Sequence, residues 1–66
     1  MKIIINGEPR EVPPQINLQG LVHLLELHAD RVAVELNREI VRRERWDEMA
    51  LQENDRLEIV QFVGGG

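Results

Sequence analysis

Met1-Lys2-Ile3-Ile4-Ile5-Asn6-Gly7-Glu8-Pro9-Arg10-Glu11-Val12 opens the chain. Its β-branched run, Ile3 to Ile5, suits a pleated strand. Asn6-Gly7 is the dipeptide most favoured for a tight type I′ hairpin. Glu8 to Val12 should therefore return antiparallel as a second strand. Pro9 has no N–H to give to a ladder, which puts that strand at a sheet edge. Pro13-Pro14 end it.

Beyond the hairpin the pattern changes from strand to helix and back. Asn17 is a good helix N-cap, with Ile16 and Leu21 at the positions of a hydrophobic staple. Leu18, Leu21, Val22 and Leu25 follow helical spacing and form one apolar stripe, flanked by Leu24 and Leu27. Gly20, in the first turn, weakens the helix by roughly 1 kcal/mol relative to alanine, so a packing reason is expected there. The helix is predicted to end near His28 to Asp30. Val32-Ala33-Val34-Glu35-Leu36 alternates, with Val32, Val34 and Leu36 on one face. Asn37-Arg38-Glu39 reads as a turn and Ile40-Val41-Arg42 as a brief strand. Arg43 to Glu48 is charged and reads as a loop or short helical turn, with Trp46 covering the end of the core. Met49 and Leu51 anchor the chain again, and Glu53-Asn54-Asp55 turns it into a last strand from near Arg56.

Hairpin, helix, two short strands, irregular crossing and strand make an α+β chain. One helix must bury its stripe against one face of a small mixed sheet, which is the ubiquitin-like β-grasp arrangement. The first and last strands become central neighbours running parallel. The expected organisation is a β-grasp domain over residues 1–63 and a flexible glycine tail over 64–66.

Leu57-Glu58-Ile59-Val60-Gln61-Phe62-Val63 runs straight into Gly64-Gly65-Gly66. Alone, three glycines read as a frayed end or a cloning scar. A strand aimed into them without a polar joint favours a functional tail, slim enough to thread into another protein's cleft. If Ile3, Ile5, Leu57 and Ile59 face the helix, then Ile4, Glu58, Val60 and Phe62 face the other way. Pairing of the outer strands of the sequence is expected to bring Ile4 and Val60 together there, with Glu58 and Ala33 nearby. Ile4, Glu58, Val60, Phe62 and Val63 are thus the candidate partner-binding residues.

Sixty-six residues suffice for one domain with a small core and leave no room for an enzyme cleft of ordinary size. Cysteine is absent, so neither a disulfide framework nor a thiol carrier is available. The net charge of −4 disfavours a nucleic-acid partner and allows docking on a basic protein surface. No apolar run has the length of a membrane span, and the first residues lack a signal peptide's layout, so a cytoplasmic location is expected. His23 and His28, five apart, do not share the helical face that paired metal ligands use. Glu44, Asp47 and Glu48 read as a solvated charged loop, and Arg42, Arg43 and Arg45 equally well as its local charge balance or as a contact for an acidic patch on a partner.

The tail, the Ile-Asn-Gly-Glu-Pro hairpin, Val32-Ala33-Val34-Glu35-Leu36-Asn37, Glu39-Ile40-Val41 and Trp46 before Leu51 together resemble the sulfur carrier proteins of thiamine biosynthesis, the ThiS group of the ThiS/MoaD family. The resemblance implies a β-grasp fold and no catalysis by the chain itself. It implies an E1-like adenylyltransferase of the ThiF type that uses Mg-ATP to adenylate the carboxylate of Gly66, the reactive terminus. A persulfide donor then supplies sulfur, and a thiazole synthase of the ThiG type takes it from the resulting thiocarboxylate. No cofactor, nucleic acid or membrane is implied for the carrier itself. Two departures stand out. Arg38 occupies a turn position where the family often has glycine, so a differently shaped turn is expected, and Arg42-Arg43 replaces a common Pro-Arg pair. The alternatives are a carrier for molybdopterin synthesis, a ubiquitin-like modifier forming isopeptide bonds through Gly66, and an interaction module with an inert tail.

Overall fold

In the computed structural model, which describes residues 1–63, the isoleucine run forms β1, Lys2–Ile5, and the chain returns as β2, Glu8–Glu11. Asn6 and Gly7 have φ of 51° and 83°, the left-handed pair that a type I′ turn needs. The last strand, β5, Arg56–Gln61, lies parallel to β1, with Ile4 level with Arg56 and Ile5 with Leu57. β3, Val32–Leu36, pairs antiparallel with β5, and β4, Glu39–Ile40, closes the far edge. The order β2-β1-β5-β3-β4 gives a mixed sheet of five strands. Wrapped on one helix, it is the expected β-grasp arrangement. Residues 64–66, the expected tail, lie outside the described residues.

The helix α1, Leu18–Leu24, starts where the cap predicts: Asn17 Oδ1 accepts the Gly20 N–H at 2.7 Å. Gly20 also has the packing reason sought for it. A Cβ there would lie 3.0 Å from Ile16 Cγ1 and 3.2 Å from the capping oxygen, so the cap and the residue before it occupy the space a side chain would need.

The end of α1 differs from expectation. The helix stops at Leu24, several residues before His28, because Glu26 turns left-handed with φ of 59°. The Glu26 N–H donates to His23 O at 3.0 Å and the Leu27 N–H to Val22 O at 3.1 Å, the double closure of a Schellman motif. This turn brings Leu27 back onto the core. A single 3-10 turn, Ala29–Arg31, then delivers the chain to β3.

Leu18, Leu21 and Val22 bury against Ile3, Val34 and Leu57. Trp46, in a second 3-10 turn, Arg43–Glu48, is also buried and donates its indole N–H to Val41 O at 2.9 Å. The indole therefore closes the end of the core with its polar atom satisfied. Residues after this turn run beside the helix entrance: Leu18 N–H donates to Met49 O at 3.0 Å and Leu51 N–H to Ile16 O at 2.9 Å.

The second hairpin corrects one expectation. Its turn holds only Asn37 and Arg38, so β4 begins at Glu39 and ends at Ile40. Their φ values, 51° and 74°, repeat the geometry of the first hairpin. Arg38 here takes on the left-handed backbone that glycine adopts freely. Such a conformation costs a residue with a Cβ roughly 1–2 kcal/mol. Part of that is offset because glycine loses more entropy on folding. We therefore expect Arg38→Gly to stabilise the fold by about 0.5–1 kcal/mol and to raise the melting temperature by a few degrees. Thermal and urea unfolding would check this; a lower melting temperature would contradict it.

Candidate functional site

β5 sorts its side chains by alternation. Leu57 is buried and Ile59 half-buried on the helix side, whereas Glu58 and Val60 turn to the open face. Against Leu57 at 2%, exposed apolar side chains gather at the end of the strand and just beyond it: Val60 56%, Phe62 55% and Val63 97%. The backbone stays held while the side chains emerge. Val60 lies opposite Ala33, and the Phe62 N–H donates to Arg31 O at 2.7 Å. The end of β5 is thus a strand fixed on its β3 side and presenting an apolar surface. Beyond it come Gly64, Gly65 and Gly66, which with the reactive carboxyl group expected on Gly66 lie outside the described residues.

The register corrects the expected pairing of Ile4 with Val60. β1 pairs with β5 only at Arg56 and Leu57 before it turns away at Asn6. Ile4 is level with Arg56, four residues before Val60, a separation of roughly 13 Å at about 3.3 Å per residue. The apolar surface at the root of the tail therefore consists of Val60, Ala33, Phe62 and Val63. Ile4 instead borders a shallow depression shared with Gly7, Glu35, Arg56 and Glu58.

Two further residues belong to this region. His28 and Arg31 line a second shallow depression with Gln61, Phe62 and Val63. Pairing of β3 with β5 carries Arg31 to the level of Phe62, so counting one residue back from Val32 is the signal that finds it. Ile40, opposite Glu35 on the β4 side, is 77% exposed and extends the apolar positions of the open face toward the far edge.

Other charged positions stay at the surface. Glu44, Asp47 and Glu48 are exposed on the second 3-10 turn, and Arg45 Nε lies 3.2 Å from Glu48 Oε1. His23 and His28 are exposed. Among the described residues, no group of three His, Asp or Glu side chains is placed to hold a metal ion. What the arrangement offers is an exposed apolar surface, Val60, Phe62 and Val63, at and just beyond the end of β5.

Comparison with known proteins agrees with this layout. The sequence pattern of the ThiS family matches residues 3–66. The chain is 42% identical over all 66 residues to a thiazole synthase of Magnetococcus marinus. It spans about a fifth of that protein's length (20%). It is 45% identical over 49 residues to the sulfur carrier protein ThiS of Bacillus subtilis, covering 74% of each chain. Its fold superposes on the crystal structure of a thiamine biosynthesis protein (ThiS) from Geobacter metallireducens with a TM-score of 0.86, at 35% identity and with both chains fully covered.

The open face also holds a like-charge pair, since Glu58 of β5 lies directly opposite Glu35 of β3. Facing carboxylates on neighbouring strands repel. Glu58→Lys should turn this repulsion into attraction and stabilise the fold by about 0.2–1 kcal/mol at low salt. The gain should shrink in 1 M salt, where the screening length falls to about 3 Å. Urea unfolding at two ionic strengths would measure it; a salt-independent loss of stability would contradict the assigned register.

Proposed function

The chain belongs to the ThiS family, and on that footing we propose that it is a sulfur carrier of thiamine biosynthesis. In this reading the body docks on partner enzymes through the exposed end of β5, and the terminal carboxylate of Gly66 carries the sulfur. The chain itself performs no catalysis. The observation that carries the proposal is a strand of the core, β5, anchored by buried Leu57 and followed by exposed apolar side chains at Val60, Phe62 and Val63, within a family match extending to residue 66.

The chemistry requires activation. A carboxylate is a poor acyl donor because its leaving group would be oxide. An adenylyltransferase using Mg-ATP replaces that leaving group with AMP and releases pyrophosphate. The terminal sulfur of a persulfide then displaces AMP, and a thiol cleaves the sulfur–sulfur bond, leaving a thiocarboxylate and a disulfide. Lack of side chains at residues 64–66 lets the partner's groups close on the reacting carbon. The absence of cysteine means that no thiol of this chain takes part in the relay. Thiazole synthase is the proposed acceptor, supported by the likeness of this chain to part of a protein with that name. No described helix is long and apolar enough to cross a membrane, and the proposed place of work is the cytoplasm.

Docking is tested on the face of β5. Val60→Glu and Phe62→Glu change exposed side chains and should leave the fold intact. Each should weaken binding to the cognate adenylyltransferase by at least about tenfold, as for a central apolar contact. Ile4→Glu, level with Arg56, should have a smaller effect. Titration calorimetry on folded variants decides, and unchanged affinity for both β5 variants would sink the docking surface.

The reactive end is tested by its length. Removing Gly66 leaves a glycine terminus but draws the carboxyl carbon back by about 3.5 Å. A displacement of even about 1 Å in a reacting site can lower the rate on the order of a hundredfold. The truncated chain should therefore support pyrophosphate release at least about a hundredfold more slowly, and a residue added after Gly66 should abolish activation there. Equal rates for intact, truncated and extended chains would make the tail inert. Transfer of the intact chain onto a lysine of another protein would favour a modifier.

A further inference from the structure

β5 outruns its neighbour on one side. β1 pairs with it as far as Ile5, level with Leu57, but β5 continues to Gln61. On the β3 side pairing continues, from Leu36 opposite Leu57 to Val32 opposite Gln61, and beyond it the Phe62 N–H reaches Arg31 O. On the β1 side the backbone groups of Ile59 lie beyond the last paired residue of β1. Leu57 O is met by the Asn6 backbone N–H at 2.8 Å. Both groups of Ile59 are met by the Asn6 side chain: Oδ1 accepts the Ile59 N–H at 2.8 Å, and Nδ2 donates to Ile59 O at 3.1 Å.

A carboxamide carries the same donor and acceptor as a peptide group. The Asn6 side chain therefore adds one more rung to the parallel ladder after the β1 backbone has left it. It can do so because Asn6 sits in the left-handed region, with φ of 51°, which asparagine tolerates better than most residues. One residue both turns the first hairpin and holds the strand that leads to the glycine end, 53 positions later.

We propose that Asn6 is a positioning residue for the tail. Its carboxamide holds Ile59 on the β1 side while β3 pairs along the other side as far as Gln61, so β5 is braced from both sides two residues further than the β1 backbone reaches. This sets the course on which β5 delivers the residues that follow it to the reacting centre of a partner. Without the carboxamide, β5 beyond Leu57 is held by β3 alone and opens more readily. Reaction in a partner's site, which depends on alignment, then becomes slower. This role rests on the reading of Gly66 as the reacting terminus.

Asn6→Gly is the direct test, because glycine accepts the turn geometry and removes only the carboxamide. Asn6→Asp is the second variant: it keeps the acceptor for the Ile59 N–H and loses the donor. Circular dichroism selects conditions in which every chain is folded. Amide hydrogen exchange by NMR is then compared with the single-turnover rate of adenylation at saturating cognate adenylyltransferase. For Asn6→Gly, exchange protection at Ile59 should fall roughly tenfold, while that at Val60, paired toward β3, stays close to wild type. The adenylation rate should fall about tenfold, with docking affinity unchanged. Asn6→Asp should retain more of the Ile59 protection and lie between the other two in rate. A purely structural role would instead lower protection across the whole sheet and leave the saturated rate of the folded variants unchanged, which overturns the proposal. Failure of the wild-type chain to be adenylated overturns the sulfur-carrier reading and the positioning role together. A normal wild-type rate matched by Asn6→Gly overturns the positioning role alone.

Discussion

A helix of only seven residues, Leu18–Leu24, has to shield one face of a five-stranded sheet. At 1.5 Å per residue it is roughly 10 Å long, too short to cover that face by itself. Leu18, Leu21 and Val22 meet Ile3, Val34 and Leu57, and the buried Trp46 on the second 3-10 turn supplies further cover. Two devices keep the short helix defined. Asn17 caps its start, and the left-handed turn at Glu26 folds Leu27 back onto the core. With no cysteine in the chain, this packing is not reinforced by any disulfide.

Covering one face leaves the other open, and the central strand connects the two. Leu57 locks β5 into the core while Val60, Phe62 and Val63 emerge from it. A side chain change on the open face can therefore alter docking without entering the core. In the proposed function the same division separates the part that docks from the end that reacts. On that proposal the body supplies recognition by apolar area beside the strand, and the glycines supply access. Between them, the bonds of Ile59 to Asn6 and of Phe62 to Arg31 hold the last turns of the ladder.

Much of this was legible in the sequence, and the failures have physical causes. Asn6-Gly7 announced its turn because few residue pairs accept two left-handed positions in succession. Alternation assigned the faces of β3 and β5, and the family resemblance agrees with the match over residues 3–66. The helix end was misplaced because the left-handed position went to Glu26, which gives none of the signal a glycine gives. Arg38 hid its turn geometry in the same way. Ile4 and Val60 were wrongly expected to meet because alternation fixes which face a residue takes but not the register along a parallel neighbour. The second role of Asn6 was out of reach for a related reason: its partner, Ile59, is brought close only by the completed sheet. The expected tail falls outside the described residues, so its reading still rests on composition and family.

The central claim is that Gly66 ends in the group that carries sulfur. It is tested most directly by intact-mass and fragmentation analysis of the chain after incubation with its cognate adenylyltransferase, Mg-ATP and a persulfide donor. The account predicts a mass increase equal to exchange of one oxygen for one sulfur, located on Gly66 and dependent on ATP. An unchanged mass in the presence of an active adenylyltransferase, or a sulfur atom located anywhere other than the last residue, would contradict it.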